Sequence, residues 1–211
     1  RRTTGDGETS ISVAARGGHL DVMKVFVEAI PQLQRYDLTL VLHDIVSLHY
    51  GNLQEVVQSL IEGGADVNEP DGNGYTVLHR AVDSYSNDEK VVELLIEANV
   101  DVNSRTAKGE TALHLSANRD DVASISKLIR AGALIDSADH EGETPLLRAI
   151  RLAHLSSVLL LIDLSADVDL PNAEGVSPLH FASQEGAEAM VKALIHAGAN
   201  VNALIDDGET P

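Results

Sequence analysis

The chain of 211 residues is 44% apolar but only 3% aromatic, so any core is built from Leu, Val, Ile and Ala, and this aliphatic content excludes disordered, collagen-like and mucin-like classes. Thirty-three Asp and Glu against 15 Lys and Arg give a net charge of -18, which argues against phosphate backbones and anionic lipid surfaces as partners. The absence of cysteine removes disulfides, thiolate zinc sites and cysteine nucleophiles, and the richest apolar run, Leu155 to Leu164, is about half the roughly 18 to 20 residues of a membrane helix.

The predicted elements recur along the chain. Residues 5–34 open with a turn and a first helix in Gly7-Glu8-Thr9-Ser10-Ile11-Ser12-Val13-Ala14-Ala15, then turn again at Gly17-Gly18-His19-Leu20-Asp21-Val22. Residues 35–70 are a worn copy: Leu40-Val41-Leu42-His43 opens it without a Gly turn, extra residues fall around His49-Tyr50-Gly51, and Leu60 to Asn68 closes it. This worn unit reads either as a hinge or as a contact site. Residues 71–105 begin with Gly74 and Thr76-Val77-Leu78-His79 and carry a small insertion, Ser84 to Asp88, between their helices. Residues 106–138 begin with Gly109 and Thr111-Ala112-Leu113-His114, residues 139–171 with Gly142 and Thr144-Pro145-Leu146-Leu147, and residues 172–204 with Gly175 and Ser177-Pro178-Leu179-His180. A truncated unit at 205–211 ends on Thr210-Pro211, and the opening hydroxyl residues are 35, 33, 33 and 33 positions apart.

The local chemistry explains the shape of each unit. Thr144 and Ser177 place a capping hydroxyl before a proline at the first helical position, where its missing N–H costs nothing. In 172–204, Leu179, Ala182, Met190, Val191, Leu194 and Ile195 recur at three- and four-residue steps, broken by Gly186, which predicts two short helices joined by a turn. Neither helix buries its apolar stripe alone, so stability must come from stacking one unit on the next.

A period near 33 residues with Thr-Pro-Leu-His-like openings resembles the ankyrin-repeat family, and the resemblance covers essentially the whole chain, with Ser12 where that family usually has His. It implies one all-α domain over 1–211, a solenoid of stacked helix-turn-helix units with β-turn or hairpin fingers. It also implies that His79, His114 and His180 bond the Thr or Ser hydroxyl and steady the turn. In the family, the turn tips and the exposed side of each first helix line a concave groove that touches protein partners. Carried over by position, that face holds Tyr75, Asp83, Ser84, Tyr85, Glu110, Asn118, Arg119, Glu143, Arg151, Glu174, Gln184 and Glu185. Among these the tyrosines and arginines are of the types that dominate interface energetics. Arg119 and Arg151, on successive first helices, would receive an acidic segment of a partner. Leu60 with Asp66-Val67-Asn68, Leu95 with Asp101-Val102-Asn103, and Leu194 with Asn200-Val201-Asn202 resemble the pattern on which an asparaginyl hydroxylase acts, making Asn68, Asn103 and Asn202 candidate acceptors. The competing reading is that these Asn side chains close turns through bonds to backbone.

Chemistry-bearing motifs are otherwise missing. There is no His-Glu-x-x-His, no Gly-x-Ser-x-Gly and no Gly-x-x-x-x-Gly-Lys, and a calcium loop around Asp167, Asp169 and Glu174 is broken by Pro171 and the lack of Gly at the sharp turn. No catalytic residue, metal or cofactor is expected. The chain reads as a non-catalytic, monomeric protein-interaction module, intracellular in the cytoplasm or nucleus. Its acidic surface selects a basic partner surface, and it binds neither nucleic acid nor membrane. Because it starts at Arg1 without Met and stops inside a unit, it is expected to be a piece of a longer protein. The alternative reading is a regulatory or substrate-recruiting arm of a larger enzyme, ligase adaptor or toxin whose activity lies outside this segment.

Overall fold

Thr76, Thr111, Thr144 and Ser177 each stand in extended backbone one residue before a helix, which is how a capping residue leaves its hydroxyl facing the first unpaired N–H groups. The computed structural model describes residues 13–14, 17, 19, 21–22, 25–26, 35–47, 53–84, 89–205 and 210–211, and the chain divides into two compact units, 1–104 and 105–211. Among the described residues the regular structure is entirely helical, so the all-α expectation holds.

The first unit contains α1 (Arg35–Val46), α2 (Gln54–Glu62), α3 (Val77–Asp83) and α4 (Glu89–Glu97). Helix α1 packs on α2 and α3, and α4 packs on α2 and α3, through Leu38, Leu42, Ile45, Leu60, Leu78 and Leu95, all essentially inaccessible to solvent. In the worn second repeat the helix starts at Arg35, so Leu40 lies inside α1 where the other repeats have their capping Thr or Ser. The extra residues expected around His49-Tyr50-Gly51 lie outside the described residues.

The second unit contains α5 (Ala112–Asn118), α6 (Val122–Arg130), α7 (Pro145–Arg151), α8 (Leu155–Asp163), α9 (Pro178–Gln184) and α10 (Glu188–His196). Each pair packs internally, the first helices α5, α7 and α9 stack as one row, and the second helices α6, α8 and α10 stack as another. Between the rows lie Leu113, Ile125, Leu128, Leu146, Leu147, Val158, Leu161 and Leu194, each at most 1% exposed. No helix here exceeds nine residues, too short to be stable alone, so this shared apolar layer is what holds them helical.

The fingers between repeats are turns. In the second unit, Asp139 N–H donates to the Glu143 carbonyl at 2.9 Å and Gly142 N–H to the Asp139 carbonyl at 3.1 Å, and Thr106 and Asn172 close the same loop with their own neighbours. Gly109, Gly142 and Gly175 take φ of 80, 76 and 80°. Neighbouring fingers are tied through backbone: His140 N–H donates to the Lys108 carbonyl and Ala173 N–H to the Glu141 carbonyl, both at 3.0 Å. A Cβ on Gly142 would lie 2.4 Å from the Ala173 nitrogen, so glycine there is required by the stacking as well as by the turn.

Candidate functional site

Three histidines occupy equivalent places at the start of first helices. The Thr111 N–H donates to His114 Nδ1 at 3.1 Å, and the Thr111 hydroxyl lies 2.9 Å from the same nitrogen; Thr76 with His79 and Ser177 with His180 repeat the arrangement. With Nδ1 accepting, Nε2 of His114 carries the proton and donates to the Glu143 carbonyl at 3.0 Å, joining one repeat to the next finger. Burial holds this imidazole neutral, lowering its pKa to about 4 against weaker opposing pulls from the Glu143 carbonyl and Asp139. These rings therefore have a structural task; where Leu147 stands in place of His only the hydroxyl half of the capping arrangement remains, Thr144 Oγ1 accepting from the Leu147 N–H at 3.3 Å.

The surface residues separate into those that face out and those drawn inward. Asp83, Arg151, Glu174, Gln184 and Glu185 are exposed at the ends of first helices or on finger tips, whereas Asn118 and Arg119 are half-buried at the end of α5. Tyr75 is half-buried: its ring meets His79 edge-on and lies under the Arg80 guanidinium, 4.6 Å from Cζ to the ring centre. Ser84 is buried, and Tyr85 lies outside the described residues.

Glu110 and Glu143 depart from the expected groove-facing placement. They are 4% and 2% exposed, because both carboxylates turn toward the guanidinium of Arg148. Arg148 Nη2 donates to Asp139 Oδ2 at 2.6 Å and lies 3.2 Å from Glu110 Oε1, while its Nε is 2.6 Å from Glu143 Oε2. The same Glu143 oxygen lies 2.8 Å from Nη2 of Arg151. Burial opposes ionisation of Asp139, but the Arg148 bond and the backbone N–H groups of Glu143 and Glu141 outweigh it and hold this carboxyl below its ordinary range. At Glu143 burial wins over Arg151 and Arg148, and its pKa is raised. Three buried carboxylates thus share two guanidinium groups, Arg148 with a side chain 14% exposed and Arg151 with one 42% exposed.

Asp139 and Arg148, the centre of this cluster, were not among the sequence candidates. A signal for them exists in the spacing: Asp71 and Arg80 are also nine residues apart in the equivalent positions and also form an ion pair. Repeats with Thr106 and Asn172 at that place have Leu115 and Phe181 instead of Arg, so the pairing follows the Asp.

The candidate hydroxylation positions close turns. Asn68 is exposed, and its Oδ1 accepts from the Asp101 N–H of the following repeat at 2.7 Å. Asn103 is half-buried and Asn202 exposed, and their N–H groups donate to Asp101 Oδ1 at 2.9 Å and Asn200 Oδ1 at 3.0 Å. Asp136 and Asp169 play the role of Asn68, accepting from the Asp167 and Asn200 N–H groups at 3.0 and 2.8 Å. Either Asn or Asp serves here, since the acceptor oxygen is what the turn uses. Among the described residues no group of three His, Asp or Glu side chains is placed to hold a metal ion, and no helix is long and apolar enough to cross a membrane.

The family model for ankyrin repeats, built of three copies, matches residues 42–133, 78–172 and 113–205. The chain therefore belongs to the ankyrin-repeat family, whose members are generally protein-interaction modules. No curated protein matches it.

Proposed function

We infer that this chain is a non-catalytic module that holds a protein partner across the face formed by its fingers and first helices. Arg151 carries the reading: its guanidinium is anchored on one side by buried Glu143 and exposed on the other, so it meets a partner with little rotamer freedom left to lose. Glu174, Gln184 and Glu185 supply a polar, mainly acidic surround on the next repeat of the same unit. In this reading Glu110 and Glu143 are positioning residues and Arg119 is a further contact, while Asp83 and Tyr75 hold the equivalent places within the first unit. The acidic surround favours a partner with a basic surface, acting on encounter rate and selectivity.

The test is affinity capture from source cells with two matched double variants. Arg151→Ala with Gln184→Arg alters the proposed face, and Asp163→Asn with Glu188→Gln alters the second helices. Loss of a captured protein with the first pair alone, at unchanged helicity, is the expected result. Loss with the second pair alone would move binding to the opposite row of helices and sink this assignment.

A further inference from the structure

Helix α8 turns apolar side chains toward solvent where its neighbours in the row carry polar ones. Leu152, just before α8, and Leu155 and Leu159 within it are 45%, 37% and 45% exposed, and Ile162 is half-buried. One repeat earlier the places of the three leucines are held by Arg119, Val122 and Ser126, and one repeat later by Glu185, Glu188 and Lys192. A single surface leucine needs no explanation, but residues three and four apart on a helix are neighbours, so these four form one strip. Their steps of three, four and three residues are those with which one helix lays a seam against another.

The charges beside the strip indicate what covers it. Helices α6, α8 and α10 carry Lys127, Arg130 and Lys192 against Asp163 and Glu188, so this row is spared the acidic surplus of a chain with net charge -18, and two such rows meet without that repulsion. The charges also match themselves. Glu188 and Lys192 follow Leu155 and Leu159 by 33 residues, hence stand level with them on the adjoining helix, and their ion pair is exposed at both ends. When α8 lies antiparallel on α8 of a second copy, about a twofold axis passing between residues 155 and 159, Leu155 meets Leu159 of the second copy and Leu152 meets its Ile162. The same register sets Glu188 opposite Lys192 of the second copy, and the twofold axis makes every contact twice. We propose that the chain forms a twofold dimer through α8, with reciprocal Glu188–Lys192 pairs from α10 at its side, in place of the monomer expected from the sequence. The strip is short, so the dissociation constant is on the order of 10 to 100 µM. The first helices take no part, which makes the dimer independent of the reading of their face.

Sedimentation equilibrium of the purified chain from about 5 to about 500 µM, in about 150 mM NaCl to screen the remaining charge, tests this. The expected result is a mass rising from 22.5 kDa toward twice that value. Leu159→Glu, at an exposed position and checked for unchanged helicity, should weaken association at least about tenfold. Glu188→Lys sets like charges opposite each other across the axis and should weaken it too, whereas adding Lys192→Glu to that variant restores the match and should restore the dimer. A chain that stays at 22.5 kDa over the whole range overturns the proposal. So does association that Leu159→Glu leaves unchanged, since the contact would then lie elsewhere, or a double charge variant no more dimeric than Glu188→Lys alone, since the antiparallel register would then be wrong.

Discussion

His114 illustrates how one side chain links pH to stability. Its ring titrates near 6.5 when exposed in the unfolded chain and near 4 when buried, so between those values the unfolded chain holds the extra proton. Its contribution is complete above pH 6.5 and is lost as pH falls toward 4, at up to about 1.4 kcal/mol per pH unit and roughly 3 kcal/mol in total. Urea unfolding of the chain and of His114→Gln between pH 7 and pH 4.5 measures this directly, and the gap between the two curves should narrow as the pH falls. A second prediction concerns backbone. After each second helix the chain enters the left-handed region, with Gly at 64, 132 and 198 but Asn99 and Ser165 at φ of 59 and 69°. After the first helices the same holds for Gly186, Asp120 and Ala153, the last at 59°. Ala153 and Ser165 are exposed, so Ala153→Gly and Ser165→Gly should each stabilise by about 1 kcal/mol, read as a rise in Tm of about 2 to 4 °C. Asp120→Gly should not, because Asp120 Oδ1 accepts from the Ser157 N–H and hydroxyl at 2.8 and 2.7 Å across to the next repeat.

At the scale of the element, the finger is the part least tolerant of change. Gly142→Ala combines a positive φ with a Cβ against backbone of the adjoining finger, and a destabilisation of at least about 2 kcal/mol is expected in denaturant unfolding. Most of this level was legible in the sequence: the hydroxyl caps, the glycine turns and the apolar steps place α3 and α5 to α10 where their local chemistry predicts. What escaped was interaction between repeats. Glu110 and Glu143 have the polarity and motif position of surface contacts, and only the fold brings Arg148 close enough to draw them inside. Helix α1 was hidden for a related reason: nothing in Leu40-Val41-Leu42-His43 says that the helix begins at Arg35 instead of being capped at residue 40. The asparagine turns, by contrast, were open to two readings in the sequence, and the geometry gives Asn68 a backbone partner in the following repeat.

For the molecule as a whole, a net charge of -18 sets self-repulsion against the local ion pairs. The cluster around Arg148 is buried and weakly screened, whereas the general acidic surface is screened readily. Raising NaCl from about 20 to about 200 mM should therefore raise Tm, measured by circular dichroism, despite the weakening of exposed pairs such as Lys192 with Glu188.

The Arg148 cluster also limits how interchangeable the repeats are. Excising 106–138 as a cassette would leave Thr76 and Thr144 35 positions apart, the spacing Thr76 and Thr111 now have, and restore a hydroxyl cap in the right place, yet it would put Tyr75 where Arg148 now finds Glu110. The arginine would lose one of its three carboxylates and gain an aromatic ring already engaged by Arg80. Repeats that look alike as modules are thus specialised for the neighbour they have, and their order along the chain is part of what the sequence encodes.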